Sequence, residues 1–476
     1  MKQARRPNVI WLLPDQWRYD AFGAAGNTVI QTPNIDALAQ RGMVFRRAHC
    51  ESPVCMPSRA SLVSGTYPSD HGLLENIPSP ATSGGISATA PNFVRSLRDA
   101  GYRTAEIGKM HLATAGAEGL TAFGFDDVAE EFDKFEYCLE QSDEHPYEET
   151  PYTRYLAERG LLEDFLTYSR ERSWWPRQRG TKPGPKATPD VIPAEDTLDS
   201  FIMRSAAKYV REYERDEPFF LWVTPVGPHT PYDGPPPYSE LYDPARIPLG
   251  PLGFERFPKN EWGGFLAKTA NDLGAAAWTE DDLRLVGKHY YASISLIDAR
   301  VGELVAALEA SAQDRETWIM ISSDHGELLG DHGFYAKRIF YRSSVQVPQI
   351  VVPPAGTYAG GVFDGLTQGF DIPATILDLA GAEPPSELCS GRSLLPAMEG
   401  AGAGRDAVYS EIAEFLMVAT LEHKLIIDRA SRTPQALYDL QNDPDERVDI
   451  LATPPGTAAL NQLVPIANAF IERSRP

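Results

Sequence analysis

The sequence predicts an α/β fold in which a large, mostly parallel mixed sheet lies between layers of helices. Short stretches that are apolar at every position, as at residues 9–13 and 218–223, indicate strands buried on both faces. Amphipathic segments with helix start and stop signals separate these stretches along the chain. Because buried strands that alternate with helices are typical of parallel sheets covered on both sides, we expect such a sandwich.

The predicted elements can be followed in chain order. The first strand, at residues 9–13, ends at Pro14 and Asp15. The helix that follows begins with Pro33, since proline suits the first position of a helix. The remaining elements are helix 90–100, strand 104–107, helix 195–215, strand 218–223, helix 281–308, strand 316–322 and strand 349–352.

Two regions differ from this alternating pattern. Residues 130–190 are acidic, aromatic and rich in proline and glycine, and we expect lid or substrate loops there, since long insertions are often functional. Short apolar segments within residues 407–427 indicate antiparallel strands. We therefore predict a large α/β domain over residues 1–385 and a small C-terminal α+β subdomain, built on an antiparallel sheet, over residues 386–476.

The charge and the cysteine content exclude several classes of protein. A formal net charge of −22 repels polyanions, so we expect no nucleic acid and no anionic membrane surface as partner. No apolar segment reaches the length of about 18 residues that spans a bilayer, and the apolar run near the N-terminus is too short for a signal peptide. Four cysteines in 476 residues form no disulfide framework. We expect a cytoplasmic protein with reduced thiols.

Polar clusters come shortly after several of the predicted strands. In parallel sheets, ligands bind beyond the carboxyl ends of the strands, so we expect these clusters to form one site. Two of them offer the oxygen and nitrogen donors that a divalent cation binds, although a turn or a helix cap would explain each aspartate alone. The clusters are Asp15-Gln16, Lys109 with His111, His229, and Asp324-His325.

The segment from Ser52 to Gly65 carries the most specific motif. Cys55, Pro57 and Arg59 stand in the pattern Cys-x-Pro-Ser-Arg at the start of a predicted helix. At that position the helix dipole favours an anionic nucleophile. A buried structural cysteine is the interpretation that Cys55 alone would support. The whole pattern resembles the signature of the sulfatase family, which belongs to the alkaline phosphatase superfamily.

Further segments resemble motifs of that family in the same order along the chain. They are Gly-Lys-x-His-Leu around Lys109 and His111, Pro-His-x-Pro around His229, and Lys337 after the second metal segment. The resemblance implies an alkaline phosphatase-like fold and a formylglycine nucleophile, made by oxidation of Cys55 by a formylglycine-generating enzyme. The hydrate of this aldehyde offers one hydroxyl to attack the substrate and a second to release the product.

The resemblance also implies a role for each site residue. Fixed cations stabilise a sulfuryl or phosphoryl group, and histidines that titrate near neutrality transfer protons. It implies one divalent metal ion, Ca²⁺ in the first place and Mn²⁺ as the alternative. The implied metal ligands are Asp15, Gln16, Cys55, Asp324 and His325. The implied catalytic residues are Cys55, Arg59, Lys109, His111, His229 and Lys337. The implied substrate contacts are Lys109, His229, Lys337 and Asn76.

We therefore expect hydrolysis of sulfate monoesters, with a small anionic ester as substrate. Gln16 and His325 depart from the second acid and the Asp-Asn pair of many sulfatases, and they look more like bacterial phosphonate monoester hydrolases and choline sulfatases. Hydrolysis of phosphonate monoesters or phosphodiesters at the same site is thus an alternative, and a non-catalytic member that binds anions is another. The released alcohol and the formation of a homo-oligomer stay open.

Overall fold

The structure confirms the predicted α/β sandwich. In this computed structural model one large mixed sheet lies between helical layers, and a separate four-stranded antiparallel sheet lies in the C-terminal part of the described chain. The structure describes residues 6–76, 85–87, 89–112, 116–132, 134, 137, 147, 149–172, 187–251, 257–273, 278–311, 313, 316–387 and 389–473.

The large sheet is mostly parallel. In the described part of the chain its strands are β1 (Asn8–Leu12), β2 (Met43–His49), β3 (Arg103–Gly108), β4 (Asp127–Glu130), β5 (Phe219–Thr224), β6 (Thr317–Ser322), β7 (Gln346–Val347), β8 (Gln349–Val352) and β9 (Gly361–Gln368). They follow the order β4-β3-β5-β1-β6-β8-β2-β7, and β9 also pairs with β2. From β4 to β6 every neighbouring pair is parallel, whereas β8 runs antiparallel to both β6 and β2.

Helices cover both faces of this sheet, which explains why its central strands are apolar at every position. Ile10 of β1 belongs to the same core cluster as Ile202 and Ile297, and its neighbour Trp11 belongs to a second cluster with Val94 and Ile376. The described helices are α1 (Pro33–Gln40), α2 (Cys55–Ser64), α3 (Pro68–His71), α4 (Phe93–Asp99), α5 (Gly116–Phe123), α6 (Pro151–Glu158), α7 (Leu162–Arg172), α8 (Leu198–Glu212), α9 (Glu261–Leu273), α10 (Glu280–Ala310), α11 (Arg342–Val345), α12 (Asp371–Ala380), α13 (Leu395–Met398) and α14 (Pro454–Arg473).

A buried ion pair between Lys424 and Glu446, both in the C-terminal part of the chain, contacts the backbone of the preceding part. Lys424 Nζ also donates to the carbonyl oxygen of Phe340 at 2.8 Å, and Glu446 Oε2 accepts from the backbone amide of Arg342 at 2.7 Å. The predicted domain boundary at residue 386 stays a prediction. The strands of the small antiparallel sheet are β10 (Val408–Ile412), β11 (Phe415–Ala419), β12 (His423–Asp428) and β13 (Pro434–Asp439).

The predicted lid region is described only in part. Helices α6 and α7 fall within residues 130–190, whereas residues 138–146 and 173–186 lie outside the described residues. The assignment of a lid therefore stays a prediction. Among the described helices, none combines the length and the apolar character that crossing a bilayer requires.

Replacing Trp222 with alanine should lower the free energy of unfolding by about 3–5 kcal/mol, because it removes contacts and leaves a cavity. Trp222 is fully buried and stacks on Trp11 of the neighbouring strand, with ring centroids 4.3 Å apart. The control Val362→Ala, at a side chain 48% exposed on β9, should change it by less than about 0.5 kcal/mol. Urea denaturation followed by far-ultraviolet circular dichroism measures both variants. If Trp222→Ala unfolded at the same urea concentration as the wild-type protein, the stack of Trp222 on Trp11 would not stabilise the fold.

Candidate active site

Neighbouring parallel strands bring the predicted site residues together. Lys109 directly follows β3, and His229 lies in the loop after β5. Asp15 and Asp324 follow β1 and β6 in the same way. Because β3, β5, β1 and β6 are consecutive in the sheet, the segments after their carboxyl ends meet at one edge.

Cys55 is the first residue of α2 and is buried against this edge. Val54, the residue before it, is extended. Because the first amide groups of an α-helix have no partner within the helix, those of α2 need partners elsewhere. The backbone amide of Met56 donates to Oδ1 of Asn76 at 3.0 Å. The structure thus gives Asn76 a bond that holds the start of α2, and its predicted contact with substrate stays a prediction.

Side-chain nitrogens of Lys337 and His325 lie against the Cys55 sulfur. Lys337 Nζ lies 2.6 Å from Sγ, and Nε2 of His325 lies 3.2 Å from it. Burial raises the pKa of Cys55, but Lys337, Lys109 and His325 lower it, as does a hydrogen bond with His111. The net effect lowers the pKa of Cys55 well below the ordinary value of 9.0, so its surroundings favour the thiolate form.

Two buried carboxylates lie beside Cys55, and buried cations balance their charge. Lys109 Nζ donates to Asp15 Oδ2 at 2.6 Å, and the guanidinium of Arg59 lies 3.3 Å from the same oxygen. Arg59 also donates from Nε to Asp324 Oδ2 at 2.8 Å, and from Nη1 to the carbonyl oxygen of Lys109. Arg59 therefore contacts both predicted aspartate ligands and fixes their spacing.

The electrostatics of Asp15 follow from these neighbours. Burial raises the pKa of its carboxyl group, and the negative charge of Cys55 raises it further. The positive charges of Lys109, His229 and Lys337 act in the opposite direction and outweigh both. The pKa of Asp15 is therefore lowered below its ordinary value of 3.8, and the carboxylate stays charged although it is buried.

The predicted metal ligands include four residues whose donor atoms lie within 4.8 Å of one another, namely Asp15, Cys55, Asp324 and His325. Nδ1 of His325 lies 3.0 Å from the carbonyl oxygen of Gly326. A carbonyl oxygen only accepts, so Nδ1 carries a proton, and a neutral ring in this orientation presents the lone pair of Nε2. This is the tautomer that binds a metal ion through Nε2.

Gln16, the fifth predicted ligand, lies next to this donor set. Its backbone is in the left-handed region, at φ 65°, and its amide donates to Asp324 Oδ1 at 3.0 Å. Its side-chain Nε2 donates to Glu327, and among the described residues its Oε1 has no hydrogen-bond partner. An unsatisfied buried acceptor costs about 1–3 kcal/mol, and a cation would satisfy it. The residues therefore fit a divalent metal ion with oxygen and imidazole ligands.

The two predicted proton-transfer residues also lie at this edge. His229 is 8% exposed, and its Nδ1 lies 2.7 Å from the carbonyl oxygen of Thr230, to which it donates. Because this bond engages Nδ1, proton exchange at this ring would take place at Nε2. His111 is half-buried, with φ 52°, and its hydrogen bond contributes to the low pKa of Cys55.

Sequence reasoning missed Glu327, a fully buried carboxylate beside the donor set. Burial raises the pKa of Glu327, whereas hydrogen bonds from Leu329, Tyr232, Ala336 and Gln16 lower it, and the net shift is upward. The available signal was an acid two residues after His325, in a segment that already carried two predicted ligands.

Comparison with known protein families identifies the chain. The family model described as Sulfatase matches residues 7–382, which is most of the 476-residue chain. The chain belongs to the sulfatase family. A second family model, described as N-sulphoglucosamine sulphohydrolase, C-terminal, matches residues 330–466. Membership in the sulfatase family makes the chain a hydrolase, as the sequence predicts.

Individual relatives match nearly the whole chain. A choline-sulfatase of Rhizobium meliloti (strain 1021) is 26% identical over 461 residues, covering 95% of this chain and 83% of that protein. An arylsulfatase of Clostridium perfringens (strain 13 / Type A) is 27% identical over 467 residues, covering 94% and 90%. The solved structure of a phosphonate monoester hydrolase of Agrobacterium radiobacter has the same fold, with a TM-score of 0.79, 24% identity, and coverage of 99% and 96%.

Replacing Lys337 with methionine should raise the pKa of the Cys55 thiol in the unmodified, metal-free sulfatase, because it removes the closest positive charge. The folded-state pKa lies below the unfolded one. The thiolate therefore stabilises the fold above the unfolded-state pKa, and this contribution is lost as the pH falls through the folded-state pKa. The ultraviolet absorbance of the thiolate, titrated against pH and corrected with Cys55→Ser, measures the shift.

The matched control for this titration is Lys208→Met. Lys208 is 67% exposed and lies 4.0 Å from Glu212 on α8. Its loss should leave the Cys55 titration unchanged. If Lys337→Met left it unchanged as well, the ion pair with the thiolate would be refuted.

Proposed function

We propose that this sulfatase-family chain hydrolyses sulfate monoesters through a formylglycine made from Cys55 and one bound divalent metal ion. The observation that carries the proposal is the setting of Cys55. It stands in a Cys-x-Pro-x-Arg motif at the start of a helix, and Lys337, His325 and Asp15 lie 2.6, 3.2 and 3.9 Å from its sulfur.

The burial of Cys55 supports oxidation before folding is complete. The side chain is 1% exposed, so an enzyme has no access to its sulfur in the folded chain. The formylglycine-generating enzyme would therefore act on the extended chain, where Cys55, Pro57 and Arg59 are readable as a linear motif. In the mature enzyme the hydrate of the aldehyde supplies one hydroxyl for attack and a second for product release, at the place that Sγ marks here.

The donor set supports a metal ion with mixed ligands. Asp15, Gln16, Asp324, His325 and the modified residue 55 would hold it. When bound, the ion lowers the pKa of a hydroxyl group and draws negative charge from a substrate oxygen. Three oxygen-bearing side chains favour Ca²⁺, whereas the imidazole nitrogen keeps Mn²⁺ as the alternative.

The basic residues would act on the substrate and on the leaving group. Lys109 and Lys337 offer positive charge to the sulfuryl oxygens, which carry negative charge throughout the reaction. His229 holds its Nδ1 proton on Thr230, so its Nε2 is suited to protonate the leaving alcohol, with help from Lys337. His111, which is hydrogen-bonded to residue 55, is suited to take a proton there during product release. Arg59 holds the carboxylates that bind the metal.

The donor set also favours a second candidate function. Gln16 and His325 carry no negative charge, in contrast to the more acidic set of many sulfatases. The same site could therefore hydrolyse phosphonate monoesters or phosphodiesters. A non-catalytic role in anion binding is a minor alternative, and the nucleophile and bases gathered around Cys55 argue against it.

The proposed partners follow from this chemistry and from the charge of the chain. We propose a small anionic ester as substrate and the formylglycine-generating enzyme as a partner during maturation. A net charge of −22 argues against nucleic acid and anionic membrane surfaces.

Mass spectrometry of the peptide that contains Cys55 tests the nucleophile. Co-expression with a formylglycine-generating enzyme should convert the thiol to an aldehyde, and hydrolytic activity should rise in proportion to the converted fraction. Cys55→Ala should lack this activity at every expression level, and a metal chelator should abolish it in the converted protein. Activity that does not depend on conversion would overturn the proposed nucleophile.

A substrate panel decides between the two candidate reactions. We expect kcat/KM for an aryl sulfate monoester to exceed that for an aryl phosphonate monoester and an aryl phosphodiester with the same leaving group. The comparison uses one preparation of converted enzyme, reconstituted with Ca²⁺ and separately with Mn²⁺. A preference of tenfold or more for the phosphonate or the diester, equal to about 1.4 kcal/mol, would establish the second candidate instead.

A further inference from the structure

Glu327 is a buried carboxylate that lies beside the donor set without belonging to it. Its two oxygens accept four hydrogen bonds. Oε1 accepts from the backbone amides of Leu329 at 2.8 Å and Ala336 at 2.6 Å. Oε2 accepts from the hydroxyl of Tyr232 at 3.0 Å and from Nε2 of Gln16.

These bonds reach separate segments of the active site. Ala336 directly precedes Lys337, the residue that contacts the sulfur of Cys55. Tyr232 belongs to the segment that carries His229 and follows β5. One carboxylate therefore connects the two segments that bear basic residues to the strand end that bears Gln16.

The bond to Gln16 has a further consequence for metal binding. An amide side chain presents either its oxygen or its nitrogen in a given direction, and its hydrogen-bond partners decide which. All four partners of Glu327 donate and both of its oxygens accept, so the Gln16 amide faces it with Nε2. The carbonyl oxygen Oε1 is left buried and, within the described residues, without a hydrogen-bond partner.

We propose that Glu327 is a positioning residue that fixes the Gln16 amide with its oxygen available to the metal ion. The inference rests on the metal-dependent function proposed above and adds a reason for the neutral amide at position 16. A carboxylate there would lie against the carboxylate of Glu327, and like charges in a buried site destabilise each other. Gln16 and Glu327 thus form a matched pair in which exchanging both residues preserves the hydrogen bond.

A double-mutant cycle tests this pairing. In Glu327→Gln the new side-chain nitrogen is a hydrogen-bond donor that faces Gln16. Gln16 accepts this bond by turning its Oε1 toward residue 327. The nitrogen then replaces the oxygen at the metal. We expect the Kd for Ca²⁺ and for Mn²⁺ to rise about 10- to 100-fold, the range seen when residues that orient metal ligands are changed.

The exchanged variant Gln16→Glu with Glu327→Gln should restore binding. In this variant the side-chain nitrogen at position 327 donates to one carboxylate oxygen of residue 16, and the other oxygen of residue 16 is left for the metal ion. The side-chain oxygen at position 327 still accepts from the amides of Leu329 and Ala336. We expect its Kd to lie within about tenfold of the wild-type value. The single variant Gln16→Glu should lower the Tm of the metal-free protein, and the exchange should recover it.

Isothermal calorimetry with each metal alone, on unmodified metal-free protein, gives the Kd values, and thermal unfolding gives the Tm values. Glu411→Gln is the matched control. Glu411 lies on β10 of the small sheet, is also fully buried, and accepts from the backbone amide of Ser69 at 2.9 Å. It should leave both Kd values unchanged whatever its effect on Tm.

The outcomes separate this inference from the function beneath it. Wild-type protein that binds neither metal would refute the metal site and the inference together. Wild-type binding with unchanged Kd in Glu327→Gln would refute the inference alone, as would weak binding that the exchanged variant does not restore. If Glu327→Gln fails to fold, the exchanged variant decides. It keeps the bond between residues 16 and 327 and the two bonds from Leu329 and Ala336, and its amide nitrogen can donate to the Tyr232 hydroxyl in place of the bond that Glu327 accepts there, so it should both fold and bind.

Discussion

Charge balance in a pocket shielded from water is the constraint on which this structure depends. Asp15 and Asp324 are fully buried, and burying an unpaired carboxylate costs several kcal/mol. Arg59 and Lys109 supply the compensating charges, from α2 and from the end of β3. These four side chains meet only when β3, β1, β6 and α2 are assembled. The charge balance of the site therefore depends on the strand order of the sheet.

The same balance accounts for anion binding by a strongly acidic protein. In the unmodified chain a thiolate at Cys55, together with the two aspartates, would offset the charges of Arg59, Lys109 and Lys337. Conversion of residue 55 to a neutral aldehyde would remove one negative charge, and a divalent ion would add two positive ones. The mature pocket would therefore be cationic within a chain of net charge −22, and a local field of this kind concentrates small anions.

The sequence predicted the elements whose signal is local. Strands β1, β5 and β8 each contain an uninterrupted apolar run, and the polar residues after the strands indicated a shared edge. Strand β2 was not predicted, because Arg46 and Arg47 interrupt its apolar run. The order of the strands and the role of Glu327 were also beyond reach. The bond between Gln16 and Glu327 joins residues 311 positions apart, and no local pattern encodes such a contact.

The ion pair between Lys424 and Glu446 connects the small sheet to the segment that follows Lys337 of the active site. It holds the carbonyl group of Phe340 and the amide of Arg342, a few residues beyond the lysine that contacts position 55. A chimera that borrowed this C-terminal sheet from a homologue would need both charges and both backbone contacts at the seam. Recombination between family members is therefore best placed away from this junction, even where a sequence boundary suggests an easy cut.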